Sequence, residues 1–221
     1  MKTNTKNEVL RYLGYRGQEI SPGLSAQIDG AIAECRAVTR ARHVLRRFSL
    51  REDAKGIYLT GTELTLSGRA ITRNLAKAKE VALLAATLGT EIESRIRRAQ
   101  YSDLAYALML DAAASQLIEE VCDAAETSLR TQAAAEGLCI GSRFSPGYDD
   151  LPLGLQTPLL SLLDAPRRIG LNCTDKYLLT PGKSVTALIG IYQGQAPGPE
   201  RGCDHCPMQK SCFAVKGVGG I

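Results

Sequence analysis

Apolar residues recur along this 221-residue chain at two kinds of spacing, which predict helices and strands respectively. Spacings of three and four positions place apolar side chains on one face of a helix. This pattern predicts helices over residues 7–13, 25–40, 67–78, 91–98, 102–131 and 152–163, the third of them capped by Ser67. In the longest helix we expect one core-facing stripe, made of Leu104, Leu108, Leu117, Ile118, Val121, Ala125 and Leu129.

Alternating or continuous apolar runs predict strands over residues 43–50, 57–66, 81–88, 138–140, 168–171 and 184–192. The run VALLAATL at 81–88 is almost wholly apolar, which is typical of a strand buried in the centre of a sheet. Because helices and strands follow one another in mixed order, the pattern favours an α+β fold over a doubly wound sheet. We therefore predict one domain over residues 1–200, with a mixed, mainly antiparallel twisted sheet and long packing helices, followed by a tail over 201–221.

Composition and charge narrow the classes of function. The net charge is +4, and the densest basic patch consists of Arg36, Arg40, Arg42, Arg46, Arg47 and Arg51. Nucleic-acid-binding patches are usually interleaved with aromatic residues, but this chain has no Trp and only 5% aromatic residues. We therefore predict a solvated basic face and no nucleic-acid partner. The sequence has no run of eighteen uncharged apolar residues and no apolar N-terminal stretch, so we expect a cytoplasmic protein that does not contact membranes.

The segment R-F-S-P-G-Y-D-D at 143–150 combines a rigid turn with charged side chains. Pro followed by Gly suits the central positions of a type II turn, so we predict a positive φ at Gly147. Arg143 offers two parallel donors to a carboxylate, and Asp149 and Asp150 offer negative charge to an ammonium or sulfonium group. The segment is therefore either a site for a zwitterionic ligand or a tight turn in which Arg143 pairs with the two aspartates.

A second segment, L-T-P-G-K-S-V-T-A at 179–187, superficially resembles a phosphate-binding loop. It lacks the upstream glycine of such a loop, and a predicted strand follows it instead of a helix. We therefore interpret it as a turn that enters a strand.

Together, R-F-S-P-G-Y and the later T-P-x-K-S-V-T-A-L-I-G resemble the S-adenosylmethionine-binding activation domain of cobalamin-dependent methionine synthase, in its stand-alone version. Three flanking pieces agree with the same family: A-A-T-L-G at 85–89, a long acidic helix carrying Asp111 and Glu119, and D-L-P-L-x-L-Q at 150–156. The resemblance covers about residues 42–192, which leaves residues 1–41 as additional N-terminal helices.

This resemblance implies a function that is exerted on another protein's cofactor. Cobalamin is occasionally oxidised to inactive cob(II)alamin, and the family's domain binds S-adenosylmethionine so that an electron donor, such as flavodoxin or ferredoxin, can drive reductive methylation. The resemblance implies that Arg143 would hold the methionyl carboxylate. It also implies that the rest of the ligand would be lined by Ser145, Gly147, Tyr148, Val185 and Thr186.

The family's chemistry also bears on whether this chain is an enzyme. The sulfonium already makes the methyl group electrophilic, so positioning is enough, and the resemblance implies no catalytic residue. Nothing in the sequence resembles a cobalamin-binding domain, so cobalamin would be reached only through a partner methionine synthase or another corrinoid protein. We therefore expect an accessory component of a methyltransferase rather than a complete enzyme.

Three of the seven cysteines crowd into the predicted tail, at Cys203, Cys206 and Cys212. Their C-x2-C-x5-C spacing places three thiolates within reach of one metal, but a closed site usually has four ligands. Cys139, Cys173 or a partner could supply the fourth. An iron–sulfur cluster, a zinc ion and unligated thiols all remain open. An iron–sulfur cluster would favour an alternative function, that of a reductive activator of corrinoid proteins, whereas we interpret the other cysteines mostly as small buried hydrophobic residues.

Overall fold

The computed structural model describes residues 5–53 and 56–197. The helices in these residues are α1 (Thr5–Tyr12), α2 (Pro22–Val38), α3 (Arg69–Asn74), α4 (Glu91–Ser102), α5 (Leu104–Ala135), α6 (Gln156–Leu162) and α7 (Ala165–Ile169). The strands are β1 (Arg42–Asp53), β2 (Gly56–Leu59), β3 (Thr65–Leu66), β4 (Ala78–Thr87), β5 (Leu138–Phe144), β6 (Asn172–Cys173), β7 (Leu179–Thr180) and β8 (Ser184–Gln193).

Six of these strands form one sheet in the order β3-β2-β1-β4-β8-β5, and β6 pairs with β7 separately. All strand pairs in the described residues are antiparallel. Every residue from Val81 to Leu88 is buried, and β4 lies between β1 and β8, which confirms the predicted central strand. The protein therefore has the predicted α+β fold.

The sheet separates two hydrophobic cores. Leu84 belongs to the core beneath α1, α2, α4 and α5, and the adjacent Leu83 belongs to the core beneath α3, α6 and α7. This alternation follows from the two-residue period of a strand. The longest helix, α5, meets the sheet with small residues such as Ala114 and Ala125, which permit a close approach of helix and sheet.

Three predictions of local structure are wrong, because tertiary contacts or turn residues override the apolar pattern. Ser67 does not cap α3, since Gly68 occupies the capping position and the backbone donors bind Asp150 instead. The predicted strand over 57–66 is interrupted by a turn and forms β2 and β3. The predicted strand over 168–171 is absent: its first two residues end the short helix α7, which has Pro166 in its first turn, and its last two are neither helix nor strand.

The predicted stripe of the longest helix is also partly wrong. Leu104 and Leu108 are 62% and 57% exposed. The buried face of α5 contains Ala107, Leu110, Ala114, Ile118, Cys122, Ala125, Leu129 and Ala133. The large leucines suggested a different face of the helix, whereas close packing on the sheet selects the face that is rich in alanine.

The arginines of the basic patch mostly have local partners. Arg36 pairs with Glu120, Arg40 with Glu91, and Arg47 with both Glu80 and Glu136. Arg46 and Arg51 lie over the rings of Phe48 and Tyr58. These contacts agree with the predicted solvated basic face. Within the described ranges, none of the helices is both long and apolar enough to cross a bilayer.

Candidate functional site

A β-bulge in β5 determines the direction in which Arg143 points. Ile140 lies opposite Ile191 and Arg143 lies opposite Ile189, so three steps along β5 match two along β8. Both isoleucines of β8 face the core beneath α5. Strict alternation from Ile140 would have placed Ser142 on this side. The bulge instead brings Arg143 to the α5 side of the sheet.

Arg143 lies among three carboxylates of α5. Its Nη2 atom is 3.0 Å from Glu119 Oε2 and 2.8 Å from Asp123 Oδ1, and its Nε atom is 3.7 Å from Glu126 Oε2. The three acids share one helix face because they are four and three residues apart. Only 16% of the Arg143 side chain is exposed. Its Nη1 atom is fully buried and has no hydrogen-bond partner among the described residues.

The charges around Arg143 do not balance locally. Burial lowers the pKa of Arg143, but Cys122 and the three acids of α5 together raise it by more, so its pKa lies above the ordinary value. Arg143 therefore stays positively charged. Arg130 also pairs with Glu126, at 2.8 Å, so the three carboxylates face two cations and the cluster keeps one excess negative charge. An unpaired guanidinium donor beside excess carboxylate suits a ligand that carries both a carboxylate and positive charge.

Residues 145–148, just after β5, form the predicted turn. Tyr148 N donates to Ser145 O at 3.2 Å, and Gly147, the third residue of this turn, has φ +90°. This confirms the predicted positive φ at Gly147 and agrees with a type II turn. A Cβ atom at position 147 would lie 3.1 Å from Leu153 Cδ1. Tyr148 is 67% exposed, so the turn presents an aromatic residue to solvent.

The two aspartates after this turn point away from Arg143. Asp150 accepts hydrogen bonds from Arg69 N and Ala70 N, at the start of α3. These backbone donors, Ala70 N most strongly, hold the pKa of Asp150 below its usual value. Asp149 lies 3.9 Å from Arg73, also on α3. Arg143 therefore pairs with the acids of α5 and not with the two aspartates that the sequence suggested.

The beginning of β8 forms an open edge beside the turn. β5 pairs with β8 only as far as the pair Phe144–Leu188, whereas β4 continues to pair up to the start of β8. Within the described residues, the first four residues of β8 therefore have a strand partner on one side only. Val185 packs toward the core beneath α5. Thr186 is on the opposite face, where its hydroxyl donates to Gln156 Oε1.

The predicted ligand-binding residues thus come from two adjacent strands. Arg143, Ser145, Gly147 and Tyr148 follow one another at the end of β5, and Val185 and Thr186 lie at the open edge of the neighbouring β8. Sequence reasoning missed the residues that complete the surroundings, namely Asp123, Glu126 and Gln156, and assigned no contact to Glu119. The acidic spacing on α5 was a usable signal, but only the fold shows that it faces Arg143.

The candidate metal ligands Cys203, Cys206 and Cys212 lie outside the described residues. In residues 5–53 and 56–197, no cluster of three or more His, Cys, Asp or Glu side chains could hold a metal ion. Cys139 Sγ donates to Gly194 O at 2.7 Å, so this thiol lies next to the chain that leads toward the tail. Cys173 lies in β6, which pairs with β7 before β8 begins.

The other two described cysteines fit the prediction of small buried hydrophobic residues. Cys35 and Cys122 are both buried. Burial raises the pKa of the Cys122 thiol to about 12, which keeps it protonated and unreactive.

Comparison with known proteins supports the fold. No family model and no curated protein matches the sequence. Among solved structures, the chain is similar to the "Crystal Structure of the MetH Reactivation Domain bound to AdoHcy". The TM-score is 0.63, with 15% sequence identity over 84% of this chain and 74% of that chain. The two proteins therefore share an α+β fold, and at this identity the similarity extends to the fold alone.

Proposed function

We propose that this chain binds S-adenosylmethionine and supports reductive methylation of cob(II)alamin on a separate cobalamin-dependent methionine synthase or related corrinoid methyltransferase. The observation that carries the proposal is the position of Arg143 and the S-P-G-Y turn beside the open edge of β8. The fold neighbour supports it, because AdoHcy is the product that S-adenosylmethionine leaves after losing its methyl group.

The surroundings of Arg143 suit the methionyl part of this ligand. The Nη1 atom is closed to solvent and has no acceptor among the described residues, so it would donate to the ligand carboxylate once the guanidinium turns outward from its α5 partners. Glu119 and Asp123 can attract the ammonium group from their positions around the same guanidinium. Both acids are partly exposed, so solvent screens this attraction and each contributes modestly.

Net charge favours the methylated form of the ligand. S-adenosylmethionine carries one carboxylate, one ammonium and one sulfonium, so its net charge near neutral pH is positive. AdoHcy lacks the sulfonium charge and is a neutral zwitterion. The excess negative charge around Arg143 should therefore bind the methyl donor more tightly than its product, which helps product to leave.

The remaining predicted residues would shape the rest of the site. Gly147 allows the turn to bend under the ligand, and the backbone of Ser145 and the exposed ring of Tyr148 flank it. The open edge of β8 at Val185 and Thr186 offers main-chain groups beside the adenine. These roles follow the family resemblance, and the placement of the two strands is compatible with them.

The chemistry requires no protein nucleophile. One electron from a donor such as flavodoxin or ferredoxin reduces cob(II)alamin to cob(I)alamin. The cobalt then attacks the methyl carbon, a cobalt–carbon bond forms, and the carbon–sulfur bond breaks with its electron pair going to sulfur. The products are methylcobalamin and AdoHcy. The protein's contribution is to hold the methyl group within attack distance, as expected for an accessory component.

A reconstituted reaction tests this proposal. The protein is mixed with S-adenosylmethionine, a reductant, and a cob(II)alamin-loaded methionine synthase that lacks its own activation domain. We expect the methylcobalamin absorbance to appear only when all components are present. Tight binding of S-adenosylmethionine without any methylcobalamin would reject the reactivation role while retaining the ligand.

A second candidate function is the iron–sulfur reductive activator. The supporting observation is the position of Cys139 beside Gly194, from which it could join Cys203, Cys206 and Cys212 as a fourth ligand. Anaerobic reconstitution with iron and sulfide should then give visible absorbance that Cys139→Ser weakens and Cys173→Ser does not. Absence of iron uptake by the full chain would reject this candidate.

A further inference from the structure

A buried amide at the edge of the candidate site uses only one of its two ends. Gln156 is 6% exposed, and its Oε1 atom accepts a hydrogen bond from the hydroxyl of Thr186, which is 2% exposed. Its Nε2 group makes no hydrogen bond within the described residues. Nor does it belong to the fully buried polar atoms that lack a partner. The Nε2 donor of Gln156 is thus unused and not fully buried.

This amide lies on the Thr186 face of β8, opposite to the face that Arg143 takes, and it is linked to both segments of the candidate ligand site. Thr186 belongs to the part of β8 that β5 leaves uncovered. Gln156 begins α6, directly after the 3-10 turn Leu153–Leu155. Leu153 in turn contacts the position of Gly147 in the S-P-G-Y turn. Gln156 is therefore connected to the turn through the preceding residues 153–155 and to the open strand edge through its hydrogen bond with Thr186.

The Thr186 hydroxyl occupies one end of the amide. It donates to Oε1 in this structure, and Nε2 is left directed away from Thr186. A buried polar group with an unused donor is unfavourable, and an apolar residue of similar size would pack in its place without that loss. A ligand acceptor would complete the hydrogen bonding of this amide.

We propose that Gln156 Nε2 donates a hydrogen bond to a ring nitrogen of the adenine and thereby determines specificity for the base. This inference rests on the proposed function, in which the adenine lies beside Val185 and Thr186. Adenine offers N1, N3 and N7 as acceptors, and replacing any one of them by C–H removes a single acceptor with almost no change of shape.

The test uses AdoHcy and its 1-deaza, 3-deaza and 7-deaza analogues, with affinities measured by calorimetry. In the wild type, one analogue should bind roughly three- to tenfold more weakly than AdoHcy, as expected for one neutral hydrogen bond. Gln156→Leu should weaken the affinity for AdoHcy by a similar factor. This variant should bind that analogue as tightly as it binds AdoHcy, because the substitution and the analogue each remove the same hydrogen bond.

Matched variants separate this role from general packing. Gln116→Leu replaces another buried amide, on α5, and should leave all four affinities and their ratios unchanged. Thr186→Val keeps the amide but removes the hydroxyl that orients it, so it should reduce the analogue penalty even if Gln156→Leu does not fold. If the loss of affinity from AdoHcy to the analogue is the same in the wild type and in the Gln156 and Thr186 variants, this inference is overturned but the proposed function is not. A wild type that binds no AdoHcy would overturn the proposed function with it.

Discussion

The two ends of the 143–150 segment lie in different layers of the protein and neutralise their charges in different ways. Arg143 faces α5, where three carboxylates surround it and one buried donor has no acceptor among the described residues. Asp150 faces α3 across the sheet, where two backbone donors satisfy its carboxylate. The Arg143 end therefore keeps one buried donor without an acceptor among the described residues, whereas the Asp150 carboxylate is satisfied by its backbone donors.

The size of the cleft beside α3 would by itself suggest a ligand site at the Asp150 end of the segment. A cleft of about 950 Å³ lies at the α3 side and is lined in part by Glu52, Gly68, Asp149 and Asp150. Its best-placed acid already accepts backbone hydrogen bonds, and a Cβ atom at Gly68 would come within 2.9 Å of Asp150 Oδ1. These contacts indicate a structural junction between the turn and α3. The chemistry of the unpaired donor is the better guide to a ligand than the volume of the cleft.

The largest expected effect comes from changing the glycine at the centre of this segment. Gly147→Val forces a β-branched residue into φ +90° and against Leu153, so we expect a loss of about 1–3 kcal/mol in the free energy of unfolding. Ligand binding should be lost as well, because the turn beneath the ligand is displaced. Denaturant unfolding and calorimetry with S-adenosylmethionine measure the two effects.

Gly137→Val is the matched control for this substitution. Gly137 also has positive φ, at +71°, but no atom outside its neighbours lies within 4 Å of an added Cβ. We expect a comparable loss of stability with normal ligand affinity. Normal affinity in the Gly147 variant would contradict the assignment of the turn to the ligand site.

A smaller effect is expected from the acids around Arg143. Glu119→Gln removes one negative charge from the cluster. It should weaken the affinity for S-adenosylmethionine by about two- to fivefold and the affinity for AdoHcy by less. The effect is modest because the charge is partly exposed to solvent. The difference should shrink at high salt. Glu120→Gln changes the adjacent residue, which pairs with Arg36, and should leave both affinities unchanged. An unaltered preference for S-adenosylmethionine over AdoHcy in Glu119→Gln would reject the electrostatic part of the proposal.

The smallest effect on ligand binding is expected from Asp150, which contacts α3. For this residue the informative measurement is the stability of the protein as a function of pH. The pKa of Asp150 is lowered by folding, so its stabilising effect is present above about pH 3.8 and is lost as the pH falls through the folded-state value. Asp150→Asn should therefore lower the unfolding temperature at pH 7, and the difference from the wild type should disappear only as the pH falls through the lowered folded-state pKa of Asp150. Its affinity for S-adenosylmethionine should equal that of the wild type, and a large loss would move the ligand toward α3.

Much of the fold could be predicted from the sequence because its central elements are locally unambiguous. Residues 81–88 are almost wholly apolar and residues 184–192 are largely apolar, and both form central strands. The strand predicted at 168–171 failed because Pro166 starts a helical turn there. In α5, leucines at 104 and 108 suggested the wrong face, since burial on a nearby sheet depends on small residues as much as on large ones.

The candidate site could be predicted only in part. Arg143 and the S-P-G-Y turn are contiguous in sequence, so their pattern was visible. The partners of Arg143 depend on a bulge between Ile140 and Arg143 that selects which face of the sheet the side chain takes. Gln156 is recognisable only through its contact with Thr186, which is thirty residues away. Such contacts are properties of the folded chain rather than of local sequence.

The most direct test of the central claim is the affinity of S-adenosylmethionine for the wild type, Arg143→Ala and Arg47→Ala, measured by calorimetry on folded protein. Arg47 is the matched control, because it also pairs with two carboxylates but lies on β1. Losing a charge-assisted contact should make Arg143→Ala roughly ten- to a hundredfold weaker, with Arg47→Ala unchanged. Equal affinities for the wild type and Arg143→Ala would contradict the claim that this end of the segment binds the ligand.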